Sequence, residues 1–169
     1  MSSGDERARK AWPETCTEEV SGLTDHEVAD LGLDRVLEAA EQAERVEVAF
    51  LDQLADLAEA EWFRREGASS LTGWLRRRLD LDPGDAIRLA RRVNLLVQLP
   101  EFRSALVNEQ TSLQHLKVLD RHATSDRRRY CARFTEQLVG YATNLGVDDY
   151  NTVCARWADL VDNELEPNQ

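Results

Sequence analysis

The chain has 169 residues, of which 42% are hydrophobic and 31% charged, with a formal net charge of −11. That length and balance suit one globular domain with a real core plus a tail, and no run approaches the ~18 apolar residues of a membrane span. The three cysteines (Cys16, Cys131, Cys154) are odd in number and widely spaced. They form no CxxC pair, which argues against a zinc knuckle and against a disulfide framework.

The charge is unevenly spread. Residues 1–61 carry a net −12, residues 62–133 a net +7 and residues 134–169 a net −6. Nineteen of the 21 basic residues are arginine. An acidic protein repels nucleic acid at long range, yet its basic middle can form a local anion-binding face. The plainer account pairs that middle with the acidic helices of the same domain.

The first 22 residues are polar, contain Pro13 and Gly22, and read as a disordered tail. They lack the apolar stretch of a secretory signal, so a cytoplasmic location is expected. Thr24 to Glu27 fits a capping box. It would open a short helix to Leu31 that Gly32 breaks. A long helix is then predicted from about Asp34 to Arg65, with Leu33, Leu37, Ala40, Ala43, Phe50, Leu54 and Leu57 at helical spacing. Its other face is Glu and Asp, so a homodimer seam is one reading and packing inside its own domain the plainer one.

Gly67 stands where a left-handed residue closes a helix. Ser69 or Ser70 caps the next one, which gathers Leu71, Trp74, Leu75 and Leu79 on one side, with Arg76 and Arg77 pointing away. Arg78 falls among the apolar positions and needs a carboxylate or an outward reach. Asp82 suits the N-cap and Pro83 the first position of a helix to Leu99. There Ala86, Leu89, Ala90, Val93, Leu96 and Val97 form one stripe, with Arg88, Arg91 and Arg92 opposite. Pro100 ends it.

A short helix follows over Glu101–Asn108, with Phe102, Leu106 and Val107. A second capping box, Thr111 to Gln114, opens a helix to about Ala123 whose apolar side carries Leu113, Leu116 and Leu119/Asp120. One further helix is expected from Ser125 to Leu145, closed by Gly146. A last one, capped by Asp148, runs to about Leu165 with Val153, Trp157, Leu160 and Val161, and Pro167 stops it. No strand signal occurs. The prediction is an all-α, single helical-bundle domain over 23–166, with about six or seven helices and one long N-terminal helix.

The order of Trp62, Gly67-Ala68, Ser70, Trp74-Leu75, an arginine-rich helix ending Leu99-Pro100, and then Thr111 to His115 resembles the helical domain of the actinobacterial 13E12-repeat family, also called domain of unknown function 222. The likeness extends over roughly 30–165 and includes Cys154 to Trp157. In that family the helical domain usually precedes an HNH endonuclease domain, so the resemblance implies a DNA-linked setting. The chain ends at Gln169, where that nuclease is expected to begin. Its histidines, His26, His115 and His122, all fall on predicted helices. Nuclease activity is therefore not carried over, and an HNH nuclease acting in trans is the implied partner.

No catalytic constellation, nucleotide loop or metal motif stands out, so no catalytic residue, cofactor or metal is assigned. His115 and His122 are seven apart, whereas metal ligation favours three or four; a satisfied structural pair is the plainer account. The unit formed by the Ser70–Leu79 helix, its turn and the Pro83–Leu99 helix has helix-turn-helix spacing, although an ordinary αα-hairpin gives the same pattern. Arg76, Arg77, Arg88, Arg91 and Arg92 are the candidate DNA-phosphate contacts. Arg127, Arg128 and Arg129, which oppose the dipole at a helix start, form a second cluster. The expected function is a non-catalytic nucleic-acid-associated module. The alternative is a protein-interaction or dimerisation domain, in which the acidic helix and the arginine face meet across subunits.

Overall fold

The computed structural model describes residues 25–165, with side chains placed for 30–164. The expected tail over 1–22, Cys16, the Thr24–Glu27 cap and Pro167 lie outside the described residues or side chains. Among the described residues there are nine α-helices, one 3-10 turn and no strand. The all-α expectation holds, with more and shorter pieces than six or seven. No helix among these residues is long and apolar enough to cross a membrane.

Helix α1 runs Asp25–Glu59 without interruption, so Gly32 does not break it. A side chain at Gly32 would meet nothing within 4 Å, and the 3.6-residue pattern continues on both sides. Glycine there weakens the helix by about 1 kcal/mol but does not stop it. The end also differs from expectation. Glu61 adopts a left-handed φ of 49°, and Trp62–Arg65 becomes a separate turn, α2. Gly67, at φ 76°, then redirects the chain, a conformation that costs glycine little. By residue contacts α1 spans two compact units, the first closing at Ala43 and the second opening at Glu44.

Helix α3 spans Leu71–Arg78 and is capped by Ser70, whose Oγ accepts from the Gly73 N–H at 3.1 Å. Helix α4, Pro83–Gln98, opens on Asp82, which accepts from the N–H groups of Gly84 and Asp85 at 2.7 and 3.0 Å. These bonds, Asp85's first, hold the Asp82 carboxyl below its ordinary range. Leu99 then ends α4 and begins α5, Pro100–Val107, because Pro100 has no N–H to continue the ladder.

Helix α6 is Leu113–His122. Its cap sits one residue later than predicted: Ser112 is the N-cap and His115 the reciprocal partner. The region 125–145 is not one helix but α7 (Ser125–Cys131), a 3-10 turn (Ala132–Phe134) and α8 (Thr135–Asn144). Helix α9, Val147–Leu165, places Asp148 in its first turn rather than ahead of it.

Among the described residues the buried core falls in the second unit. α3 packs on α4, α5 on α8, and α6 on both α4 and α9. Leu51 and Ala55 of α1, Leu75, Val93, Leu95, Leu96, Phe102, Leu116, Leu119, Tyr150 and Val161 are buried together. Large side chains expected on apolar faces are exposed instead at Leu33, Leu37, Phe50, Leu79, Val107 and Leu160. Leu95, absent from the predicted α4 stripe, is fully buried, because α4 is covered from several sides rather than one.

Candidate functional site

The predicted arginine face divides into groups with different fates. Arg76 and Arg77, near the C-terminal end of α3, are exposed and make no ion pair among the described residues. Their neighbour Arg78 finds a carboxylate: its Nη2 lies 2.7 Å from Glu66 Oε2, which also accepts from the Trp74 indole at 2.8 Å. The indole bond first, then Arg78, holds the Glu66 carboxyl below its usual range.

On α4, Arg88 is exposed and paired within its own helix to Asp85. The expectation that Arg91 and Arg92 share this exposed face is not met. Both are half-buried and turn toward Asp120 of α6. Arg91 Nη2 donates to the Asp120 backbone carbonyl at 2.6 Å and lies 3.2 Å from Oδ1. Arg92 Nε lies 3.7 Å from Oδ2, and Arg128 of α7 brings its Nη2 to 3.8 Å from Oδ1. Three guanidiniums thus surround one carboxylate that is only 6% exposed. Burial, the largest effect, pushes the Arg128 guanidinium below its ordinary value.

Arg127 pairs with α9 rather than with the long helix. Its Nε donates to Asp162 of α9 at 2.7 Å and its Nη1 to the His122 carbonyl at 3.2 Å. The Arg127 bonds hold the Asp162 carboxyl low. Arg129 is exposed and stacks over the adjacent Tyr130 ring, 5.0 Å from its centroid. The structure therefore brings Arg91, Arg92 and Arg128 together and leaves Arg76, Arg77, Arg88, Arg127 and Arg129 outside that cluster's ion pairs.

The two histidines with described side chains, His115 and His122, both make structural hydrogen bonds. His115 Nε2 lies 2.9 Å from the Leu145 carbonyl, which can only accept, so Nε2 carries the hydrogen; Nδ1 faces Ser112 Oγ at 2.7 Å. His122 Nε2 meets Asn151 Oδ1 at 2.9 Å. Among the described residues no three His, Cys, Asp or Glu side chains converge on a metal-sized point.

One hub has no counterpart among the expected contacts. Arg103 of α5 is a hub for α1: Nε donates to Asp52 at 2.6 Å, Nη2 to the Asp52 carbonyl at 2.9 Å and to Asp56 at 2.5 Å. The acidic i, i+4 row at Asp52 and Asp56 was the only available signal. The apolar face of the long helix, expected as a homodimer seam or as packing inside its own domain, is covered over only part of its length. Leu33, Leu37, Ala40, Val48, Leu51, Ala55 and Ala58 follow one line along α1 at helical spacing, interrupted by Glu44, whose Oε1 accepts from the Leu113 N–H at 2.6 Å. Leu51 and Ala55 on that line are buried, but Leu33 is 56% and Leu37 54% exposed, and Val36 beside them is 64% exposed.

No family model matches the chain, and no curated protein or solved structure matches it either.

Proposed function

We propose that the chain is a docking module that pairs with a second copy, the acidic-apolar face of α1 meeting the arginine end of α3. The observation that carries this reading is the uncovered continuation of the α1 stripe through Leu33, Val36 and Leu37. Contiguous exposed apolar surface of this kind marks interaction sites. Scattered single residues would not, but these lie in phase with the stripe that builds the core.

Charge selects the partner. Between Asp25 and Glu44 the sequence holds seven acids and one arginine, Arg35. Asp34, Glu38 and Glu41 run along one flank of the stripe. Two α1 helices laid side by side in either direction would leave these acids unmatched or opposed. A basic apolar surface suits them, and the chain has one: Arg76 and Arg77, exposed, beside Leu79, which is 40% exposed. A two-fold pair makes the contact twice and closes the assembly.

Light scattering across salt concentrations tests this. A dimer that dissociates as salt rises is the expected result. Reversing Arg76 and Arg77 to Glu should give monomers, and adding Asp34→Arg, Glu38→Arg and Glu41→Arg should restore the dimer. A monomer at low salt, or failure of the double reversal to rescue, sinks the reading.

A second reading keeps a nucleic-acid setting. It rests on exposed Arg76 and Arg77, which make no ion pair among the described residues, on the guanidinium excess around Asp120, and on the resemblance to the 13E12-repeat helical domain with its HNH partner. Phosphate contacts of this type give salt-sensitive, weakly selective binding. Anisotropy titration with a labelled duplex distinguishes the two: affinity at low salt that Arg76→Glu and Arg77→Glu abolish favours it, and no affinity for duplex or single strand rejects it.

A further inference from the structure

The cluster around Asp120 has a charge imbalance that the fold alone does not resolve. Arg91, Arg92 and Arg128 bring three positive charges to one carboxylate. The side chains of Arg92 and Arg128 are only 23% and 15% exposed, so solvent screens the surplus poorly. At 3.7 and 3.8 Å from Asp120, the Arg92 Nε and Arg128 Nη2 contacts are too long to be hydrogen bonds. The Nε–H groups of Arg92 and Arg128 are buried without acceptors, and Asp120 Oδ1, though 3.2 Å from Arg91 Nη2, is buried with no hydrogen bond aligned on it. Unmatched buried polar groups of this kind call for a missing partner.

We infer that Arg91, Arg92 and Arg128, with Asp120, form a binding site for a phosphate that carries a P–O–H group, as free hydrogen phosphate or as a phosphomonoester. The guanidiniums supply donors in the planar forks that suit tetrahedral oxyanions. Arg91, whose side chain is 39% exposed, is the member of the cluster most open to solvent. Asp120 sets the selectivity. Its orphan Oδ1 accepts a hydrogen bond from a P–O–H, whereas sulfate and phosphodiesters present only acceptors there and meet repulsion. The charge count agrees for hydrogen phosphate, a dianion that keeps one P–O–H and cancels the surplus of the cluster; a phosphomonoester that keeps its P–O–H is a monoanion and cancels half of it. The site needs neither the α1 stripe nor a second copy.

The test is thermal unfolding of the full chain with inorganic phosphate, methyl phosphate, dimethyl phosphate and sulfate, each at matched ionic strength in chloride. A saturable rise in Tm with inorganic or methyl phosphate, and not with sulfate or dimethyl phosphate, is expected; the tighter of the first two identifies the source. Arg91→Gln, at the most exposed of the three positions, should weaken the apparent affinity about tenfold, in line with loss of one charge-assisted hydrogen bond. Asp120→Asn, where it folds, should admit sulfate as well as phosphate. Equal response to all four salts, no response to either P–O–H compound, or an undiminished response in Arg91→Gln overturns the assignment.

Discussion

Arg91 donates to the backbone carbonyl of Asp120 at 2.6 Å while its guanidinium lies 3.2 Å from the same residue's Oδ1. One arginine thus fastens α4 to α6 through both main chain and side chain. The carboxylate is also, among the described residues, the one negative charge facing Arg92 and Arg128, so its removal leaves three like charges in a poorly solvated place. Removing one partner of a buried pair costs about 3–5 kcal/mol. Asp120→Ala should fall near the lower end of that range, because Arg91 remains partly solvated. Urea unfolding measures it; a loss below about 1 kcal/mol would show that the cluster relaxes into solvent.

The Arg103 hub ties α5 to the C-terminal part of α1, and its side chain is 16% exposed. Arg103→Met keeps the apolar stem but strands Asp52 and the Asp52 carbonyl. With charge-assisted bonds worth about 1.5–3 kcal/mol each before partial solvation, a loss of about 2 kcal/mol is expected. A double-mutant cycle with Asp52→Asn should show a coupling of about 1 kcal/mol. Additive effects would mean that the contact contributes geometry without energy.

The two parts of the α1 stripe should respond oppositely to substitution. Leu51 is 1% exposed, and Leu51→Ala should cost about 2–5 kcal/mol as a core deletion. Leu37, 54% exposed, should tolerate Glu within about 0.5 kcal/mol in the monomer. Leu37→Glu should nevertheless lower self-association, so stability at high dilution and light scattering at high concentration report separately. A large stability loss at high dilution would place Leu37 in a core instead.

Much of the fold was legible because local chemistry fixes helix starts. Ser70, Asp82-Pro83 and the Ser112 neighbourhood each announce a cap within a residue or so of its true place. What failed was chemistry with no local mark. The 3-10 turn at Ala132–Phe134 contains neither Gly nor Pro, so nothing in the sequence separates α7 from α8. Gly32 carries a break signal that an exposed helix overrides. The arginine partners were hidden for another reason: Arg103 and Asp52 are 51 residues apart, and no periodicity reports that. Asp120 gave the best unheeded signal, a carboxylate in phase with Leu113 and Leu116 on the apolar side of its helix, which had to be buried and therefore paired.

Acid should weaken the fold through carboxyls that the native state holds low. Glu66 lies below its ordinary value near 4.5 because of Trp74 and then Arg78, and Asp162 lies below 3.8 because of Arg127. A lowered native value means that the unfolded chain binds protons more readily. The stabilisation is present above the ordinary values and is lost as pH falls through the native ones. Tm should therefore hold near neutrality and fall below about pH 4.5. Glu66→Gln should flatten part of that fall, and an acid limb identical to the parent's would remove Glu66 from the account.

The two described cysteines set the opposite limb. Burial pushes both Cys131 and Cys154 up to about 11, and both are free and buried. A raised native value stabilises the fold below the ordinary value near 9.0 and loses that contribution as pH rises toward 11. It also starves the thiols of reactivity, since the thiolate is the nucleophile. On a Cys16→Ser background, an aromatic disulfide reagent at about pH 8 should label neither thiol until the chain opens, the thiolate fraction being roughly one in a thousand. Sub-denaturing urea should then speed labelling in proportion to the unfolding equilibrium, because both residues sit in the core and α7 and α9 must part before either is reached. Complete labelling within seconds in native buffer would mean that α7 opens on its own, and with it the Arg128 side of the Asp120 cluster.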